Sequence, residues 1–377
     1  MKIITENKLS IPDSAFINYL RGICIFIIVF GHVGGFWFYR PYSGFLHASV
    51  PFFFFLSGAV SFYSYGRTPS LSVYYIKRIV NLLIPYYILC LLSLAVYIAN
   101  HNQLPAFDIN KLLSWITIGA PNAIMPFPIG QVWFLKVFLI ITIFSPIYFY
   151  MRKHNIYMLV FISLAFILVT STQVFSDTEN LFKIYIVNFY KPLAFSSFYI
   201  FGILFFTSDK LRSDYKYLGG MTLFLIIISV LMVKYFDLNI DFTLHNFPPD
   251  IYYITVSFCV LSVLLMLRSF LVSVINRFKL TETFVLFFNK HTFSIYIIHT
   301  FSIYVSENIF GLVDPQEKDI TYGIVKIGSV LIITCILSPP YSKLSNRVSL
   351  YILRFLDMIL ASRFQSSAQK RKCTDEA

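Results

Sequence analysis

The sequence predicts an all-α polytopic integral membrane protein, and three observations carry that prediction. Hydrophobic residues make up 57% of the chain against 13% charged, with a mean hydropathy of +0.72, where soluble domains carry about 25% charge. The apolar residues gather in segments of roughly 17 to 25, the length that crosses a bilayer as a helix. These segments recur from residue 15 to about 344 with no long polar linker, and the charges collect between them.

About ten transmembrane helices are expected, near residues 15–37, 44–63, 79–99, 131–150, 155–175, 192–207, 217–236, 251–268, 284–306 and 321–344. Residues 1–14 are expected as a short N-terminus without a cleaved signal, 15–344 as one membrane domain, and 345–377 as an amphipathic segment followed by a disordered tail. The large majority of the 30 Lys and Arg fall in segments that share one side of such a ten-span chain. The positive-inside rule then places both termini in the cytoplasm, N-in and C-in. The formal charge of +12 is dispersed over short loops instead of forming one basic face, which excludes a nucleic-acid partner. The lipid bilayer is the partner that composition implies.

Asn100 to Gly130 contains Pro105, Pro121, Pro126 and Pro128, a density that argues for an irregular cap or re-entrant loop outside the bilayer. No C-x-x-C spacing occurs among the five cysteines, and no acidic residue lies centrally in a span, so neither a disulfide framework nor a metal site is expected.

Chemistry is expected where polar groups interrupt the apolar pattern. Arg21 and His32 are eleven residues apart on the first span, so three helical turns return them to one face about 16 Å apart, with Ile25 and Ile28 between. Ionisable residues at such depth mark functional sites by default. The turn Arg40-Pro41-Tyr42 leads to Pro51-Phe52-Phe53-Phe54-Phe55-Leu56-Ser57-Gly58, where the phenylalanines read as lipid-facing or packing residues and Ser57-Gly58 as a close helix approach. Lys77 and Arg78 read as a basic inner boundary of the third span, either a positive-inside anchor or a site for the phosphates of a cytosolic ligand. Gln131-Val132-Trp133 opens the fourth span with an interfacial Trp. Lys290, His291, Ser294, Tyr296 and His299 crowd the ninth span, so one of its faces must meet protein or water.

In content and order, Arg21 through His32, the Val50 to Gly58 segment, Lys77-Arg78 leading to Ile84-Pro85-Tyr86, Val132-Trp133-Phe134-Leu135 and Ser294-Ile295-Tyr296-Ile297-Ile298-His299 resemble the membrane-bound acyltransferase 3 family. The resemblance covers residues 15 to 344. It implies a multi-pass enzyme of the bacterial inner membrane, with no bound cofactor. Such an enzyme uses cytoplasmic acyl-CoA, most often acetyl-CoA, as donor substrate and a surface carbohydrate such as O-antigen, capsule, exopolysaccharide or a lipid-linked sugar as acceptor. It implies catalytic roles for Arg21 and His32 and a donor-binding role for Arg78, with Lys77 beside it. Ser57, Trp133, Lys290, His291, Ser294, Tyr296 and His299 are the candidate pocket residues. This chain carries Asn81 where many members have a further basic residue, and no soluble esterase-like domain is expected after the helices. The rival reading from the residues alone is a transporter or flippase of a lipid-linked glycan, and a third is a structural subunit of a polysaccharide-synthesis complex.

Overall fold

The structure, a computed structural model, describes residues 9–35, 42–105, 109–118, 132–171, 183–184, 187–246, 248–312 and 320–375, with side chains through Met358. The Arg40-Pro41 turn, Gln131 and much of the expected Asn100 to Gly130 cap lie outside these residues. Among those described, the chain is a bundle of helices: α1 Ile11–His32, α2 Ser49–Tyr65, α3 Leu71–His101, α4 Ile109–Ile116, α5 Trp133–His154, α6 Ile156–Ser171, α7 Tyr190–Phe206, α8 Asp209–Ser213, α9 Tyr215–Phe236, α10 Ile251–Met266, α11 Arg268–Arg277, α12 Lys279–Lys290, α13 Thr292–Asn308 and α14 Ile320–Asp375. One antiparallel ribbon pairs Lys183–Ile184 with Val187–Asn188, and single 3-10 segments occupy Tyr42–Ala48 and Phe242–His245.

Among the described residues, six helical segments are long and apolar enough to cross a membrane: α1, Tyr42–Tyr65 (the first 3-10 segment with α2), α3, α5, α9 and Ile320–Met358 of α14. The pair α10 and α11, bent by 63° at Leu267, makes a seventh if it is one span, while α6 and α7 are apolar but shorter. The chain is thus an all-α membrane protein. Length and apolarity by themselves support six or seven spans where the sequence reading counts ten.

Four boundaries differ from expectation, the first three for a local reason. Helix α1 ends at His32 instead of near 37, with Gly34 at φ +93; a glycine at this place is the usual left-handed helix stop. The ninth span is two helices, α12 and α13, broken at His291. There the Thr292 hydroxyl donates to the Phe288 and Asn289 carbonyls at 2.9 and 2.7 Å, satisfying acceptors that the break releases. Helix α3 begins at Leu71, capped by Ser70, so Lys77 and Arg78 sit inside a helix and not in the loop before one. After residue 344 the helix of the tenth span runs on without a break to Asp375.

Helix α7 is the buried axis of the bundle, with Tyr190, Phe195, Phe198, Tyr199 and Phe205 all at most 2% exposed. A helix buried on nearly all sides needs no polar face, which accounts for its largely apolar sequence, Lys191, Ser196 and Ser197 apart. It crosses α2 at backbone distance. A Cβ on Gly58 would meet the Tyr199 carbonyl oxygen at 2.0 Å, and one on Gly202 would meet that of Phe55 at 1.8 Å. Each helix presents its glycine to the other's main chain, the small-residue contact by which helices approach in lipid. A third such approach joins α1 to α12, where a Cβ on Gly22 would stand 2.2 Å from the Val285 carbonyl oxygen.

Two ion pairs tie the ends of the bundle. Asp13, in the first turn of α1, takes the Arg212 guanidinium at 2.6 Å. Lys326, 1% exposed on α14, bonds Glu307 of α13 at 2.8 Å. Between α9 and α10, His245 faces acceptors at both ring nitrogens: Nδ1 lies 2.5 Å from Asp250 Oδ2 and Nε2 2.8 Å from the Asn239 carbonyl. Both nitrogens must therefore donate, so the ring is held as an imidazolium. Burial alone would lower its pKa, but the hydrogen bond and charge of Asp250 outweigh that and raise it above 6.5.

Gly58→Ala and Gly202→Ala should each lower stability by about 1 to 3 kcal/mol through overpacking against main chain, read as a lower Tm of the detergent-solubilised protein; an unchanged Tm in both would contradict the crossing. Because the folded-state pKa of His245 is raised, its contribution is complete below the unfolded value of about 6.5 and is lost as pH rises through the higher folded value. The wild-type Tm should therefore fall across that rise. Asp250→Asn, which can still cap α10, should flatten that part of the pH profile.

Candidate active site

The one-face relation of Arg21 and His32 survives in α1, but the two residues open into different spaces. Arg21 lines a cavity of about 350 Å³ together with Ser57 of α2, Arg78 of α3 and Lys290, His291 and Ser294 from the α12–α13 break. His32 lines a much smaller pocket of about 30 Å³, with Ile25 and Ile28 below it and Trp133, Phe134 and Tyr296 around it. That volume holds one or two waters. Phe53 and Phe293 line both spaces, so these two rings are the partition between them.

The larger cavity is cationic and lacks a counter-charge. Neither Arg21 nor Lys290 has a hydrogen bond or ion pair with any described residue, Arg78 contacts only the Tyr74 ring at 5.7 Å, and no Asp or Glu lines the space. Arg21 and Arg78 are close enough for their charges to repel. Arg21 Nε and His291 Nδ1 are buried with no partner. Unpaired buried polar atoms and like charges are costly unless a ligand completes them, and an anion is the ligand whose charge would do so. Pro85 adds to the polarity of the wall: lacking an N–H, it leaves the carbonyl of Asn81 without its helical donor.

Why these groups meet follows from the helix ends. Gly22 lets α12 approach α1 next to Arg21, and α12 then stops at Lys290, so that Lys290 and His291 line the same cavity as Arg21. Ser57 faces the same space because Gly58 next to it is pressed to α7.

In the smaller pocket, His32 Nδ1 lies 2.9 Å from Nε2 of His299, a residue with no exposure. The ring planes differ by 9° with centroids 5.0 Å apart. An imidazole nitrogen lies about 1.2 Å from its ring centre, so a straight in-plane hydrogen bond of this length puts the centres about 5.3 Å apart. The contact is thus edge to edge in one plane and not a face stack. His299 Nδ1 lies 2.7 Å from the Tyr296 carbonyl. His32 Nε2 has no hydrogen-bond partner among the described residues. His47, on the 3-10 segment that follows α1 in the described chain, is near enough to act on His32 electrostatically, and its own Nδ1 accepts from Asn246 at 3.1 Å.

Of the residues singled out in the sequence, Arg21, Arg78, Ser57, Lys290, His291 and Ser294 therefore meet at one cavity, and His32, Trp133 and Tyr296 at the other, with His299 outside the lining as the hydrogen-bond partner of His32. Lys77 is exposed on α3 and joins neither. Sequence reasoning missed the partition. Phe53 was grouped with neighbours that do pack in the core, Phe54 and Phe55 at 0% exposure. Its spacing of four before Ser57 was the available signal, since i and i+4 share a helix face. It also missed Ser342, Ser345 and Asn346 of α14, which close the cationic cavity.

A membrane-embedded helical bundle that sets a base-bearing pocket against a cation-lined cavity is a framework for group transfer. The family model described as an acyltransferase domain matches residues 14–339, and the chain belongs to that acyltransferase 3 family. No curated protein and no solved structure shows significant similarity to it.

An anion should occupy the cationic cavity without any acyl chemistry. Pyrophosphate should raise the Tm of the solubilised protein by mass action, and Arg21→Ala or Arg78→Ala should each abolish most of that rise. Equal stabilisation of wild type and both variants would place the anion elsewhere.

Proposed function

We propose that the protein transfers an acyl group, acetyl in the first instance, from cytoplasmic acyl-CoA to a hydroxyl of a cell-surface or lipid-linked carbohydrate, within the bacterial inner membrane. The observation that carries this reading is the free Nε2 of His32 in a pocket divided by only two aromatic rings from a cation-lined cavity without counter-charge. Membership of an acyltransferase family supports the reaction class.

In this reading Arg78, Lys290 and Arg21 hold the phosphates and pantetheine end of the donor, as cations suit phosphate oxygens. Lys77, exposed nearby, contributes attraction alone. The thioester reaches the His32 pocket past Phe53 and Phe293. The acceptor hydroxyl comes from the Trp133 side, and His32 Nε2 takes its proton as the oxygen attacks the thioester carbon. Collapse of the tetrahedral adduct breaks the C–S bond, and the thiolate leaves with a proton returned from Nε2. The products are an ester and free CoA thiol. With N-in and C-in topology, the α12–α13 break and Arg78 face the cytoplasm, where the donor is supplied, and Trp133 faces outward.

The test is incubation of the purified protein with labelled acetyl-CoA and a carbohydrate acceptor, paired with mass spectrometry of surface polysaccharide from cells with and without the protein. Wild type should give labelled ester, and His32→Ala and His32→Gln should give none at normal membrane insertion. The Gln amide can hydrogen-bond but cannot take up the proton. Arg78→Ala should raise KM for acyl-CoA about tenfold or more with a smaller change in kcat. Movement of a glycan across vesicles with no ester product would instead identify a transporter.

A further inference from the structure

We propose that His299 is a positioning residue that fixes His32 in the tautomer whose Nε2, and not Nδ1, is the proton acceptor. The inference starts from a group that has no choice. The Tyr296 carbonyl can only accept, so His299 Nδ1, 2.7 Å away, carries hydrogen. A neutral imidazole has one N–H, which leaves a lone pair on His299 Nε2. Two lone pairs do not face each other at 2.9 Å, so His32 Nδ1 carries hydrogen and donates. His32 Nε2 is then the unprotonated nitrogen, and it is the one without a partner among the described residues.

The near-coplanar rings make the bond directional. With the planes 9° apart, rotation of His32 about its side chain breaks the contact, so the same bond fixes both the tautomer and the direction of the lone pair. Complete burial of His299 removes water as a competing partner for His32 Nδ1 on that side. The bond also answers the charge that base catalysis creates. Once Nε2 has taken a proton, His32 is an imidazolium and its Nδ1–H donates more strongly to the His299 lone pair. The chain of donors ends at a backbone carbonyl, so no second proton moves: His299 orients and polarises without being consumed. Helix α1 supplies His32 from its last turn and α13 supplies His299, so the pair also registers one helix end against the other.

This assignment rests on acyl transfer only for its kinetic consequences; the tautomer is measurable without substrate. Nitrogen-15 NMR of histidine-labelled protein in lipid, with His32→Asn used to assign the signal by difference, should show His32 with Nδ1 protonated and Nε2 bare. His32 protonated at Nε2 and bare at Nδ1 in the wild type would overturn the proposal. His299→Leu, close in size but unable to accept, should mix the two tautomers. It should also lower kcat about 100-fold, the scale of a general base's contribution, with KM for acyl-CoA within about twofold. His299→Gln, whose side-chain oxygen can accept from His32 Nδ1, should restore the single tautomer and most of kcat. If Gln and Leu variants of equal Tm are equally impaired, His299 serves packing alone and the proposal fails. Should the leucine variant not accumulate, the wild-type spectrum and the glutamine variant decide. The stated tautomer in a protein that forms no ester would leave this assignment standing and remove the acyl-transfer reading instead.

Discussion

The bundle depends on main chain meeting main chain at three glycines. Gly58 and Gly202 bring α2 and α7 together, and Gly22 brings α12 to α1. Lipid offers no hydrophobic reward for packing one apolar helix on another, so close backbone approach and the dispersion it allows are what hold such helices. Each approach also sets a side chain of the site: Gly22 follows Arg21, and Gly58 follows Ser57. The residues that fix the helices and those that face the cavity are therefore neighbours in the chain, and neither can shift without the other.

Two electrostatic environments are kept apart along α1. Arg21 belongs to a space of unpaired cations, and His32, about 16 Å further along the axis, to a small apolar one whose polar groups are neutral donors and acceptors. A guanidinium beside His32 would oppose any proton the ring gained. Phe53 and Phe293 line both spaces and stand between them. The two spaces thus adjoin at shared aromatic residues while remaining electrostatically distinct.

Much of this was legible in the sequence because it lies in periodicity. The shared face of Arg21, Ile25, Ile28 and His32 follows from 3.6 residues per turn, and the crowding of polar groups from Lys290 to His299 required a protected environment wherever the helices lay. What was hidden depends on where helices end and which meet. Gly34 stops α1 at His32, and the polar run from Asn289 to Thr292 breaks the ninth span; both signals stand in the sequence but compete there with strong apolar runs. The pairing of His32 with His299 joins residues 267 positions apart, and no local pattern encodes it. Hydropathy alone does not fix the count of spans, since α6 and α7 are shorter than a full crossing and the ninth span is broken.

The prolines of α3 and α14 give the cationic cavity a mechanical character. Pro85 removes one backbone hydrogen bond from α3, and Pro339 with Pro340 removes two from α14. The Tyr341 hydroxyl donates to the Pro85 carbonyl and joins the helices where each is weakened. Asn81 and Leu82 on one helix, and Ser342, Ser345 and Asn346 on the other, hang from these points and form one wall of the cavity. Bending stiffness in a helix comes from its ladder of hydrogen bonds, and kinks gather where rungs are missing. That wall is the compliant side of the bundle, while the α2–α7 crossing opposite has no slack. A ligand entering that cavity would meet its give in the α3 and α14 wall, and the geometry around Gly58 and Gly202 would stay as it was.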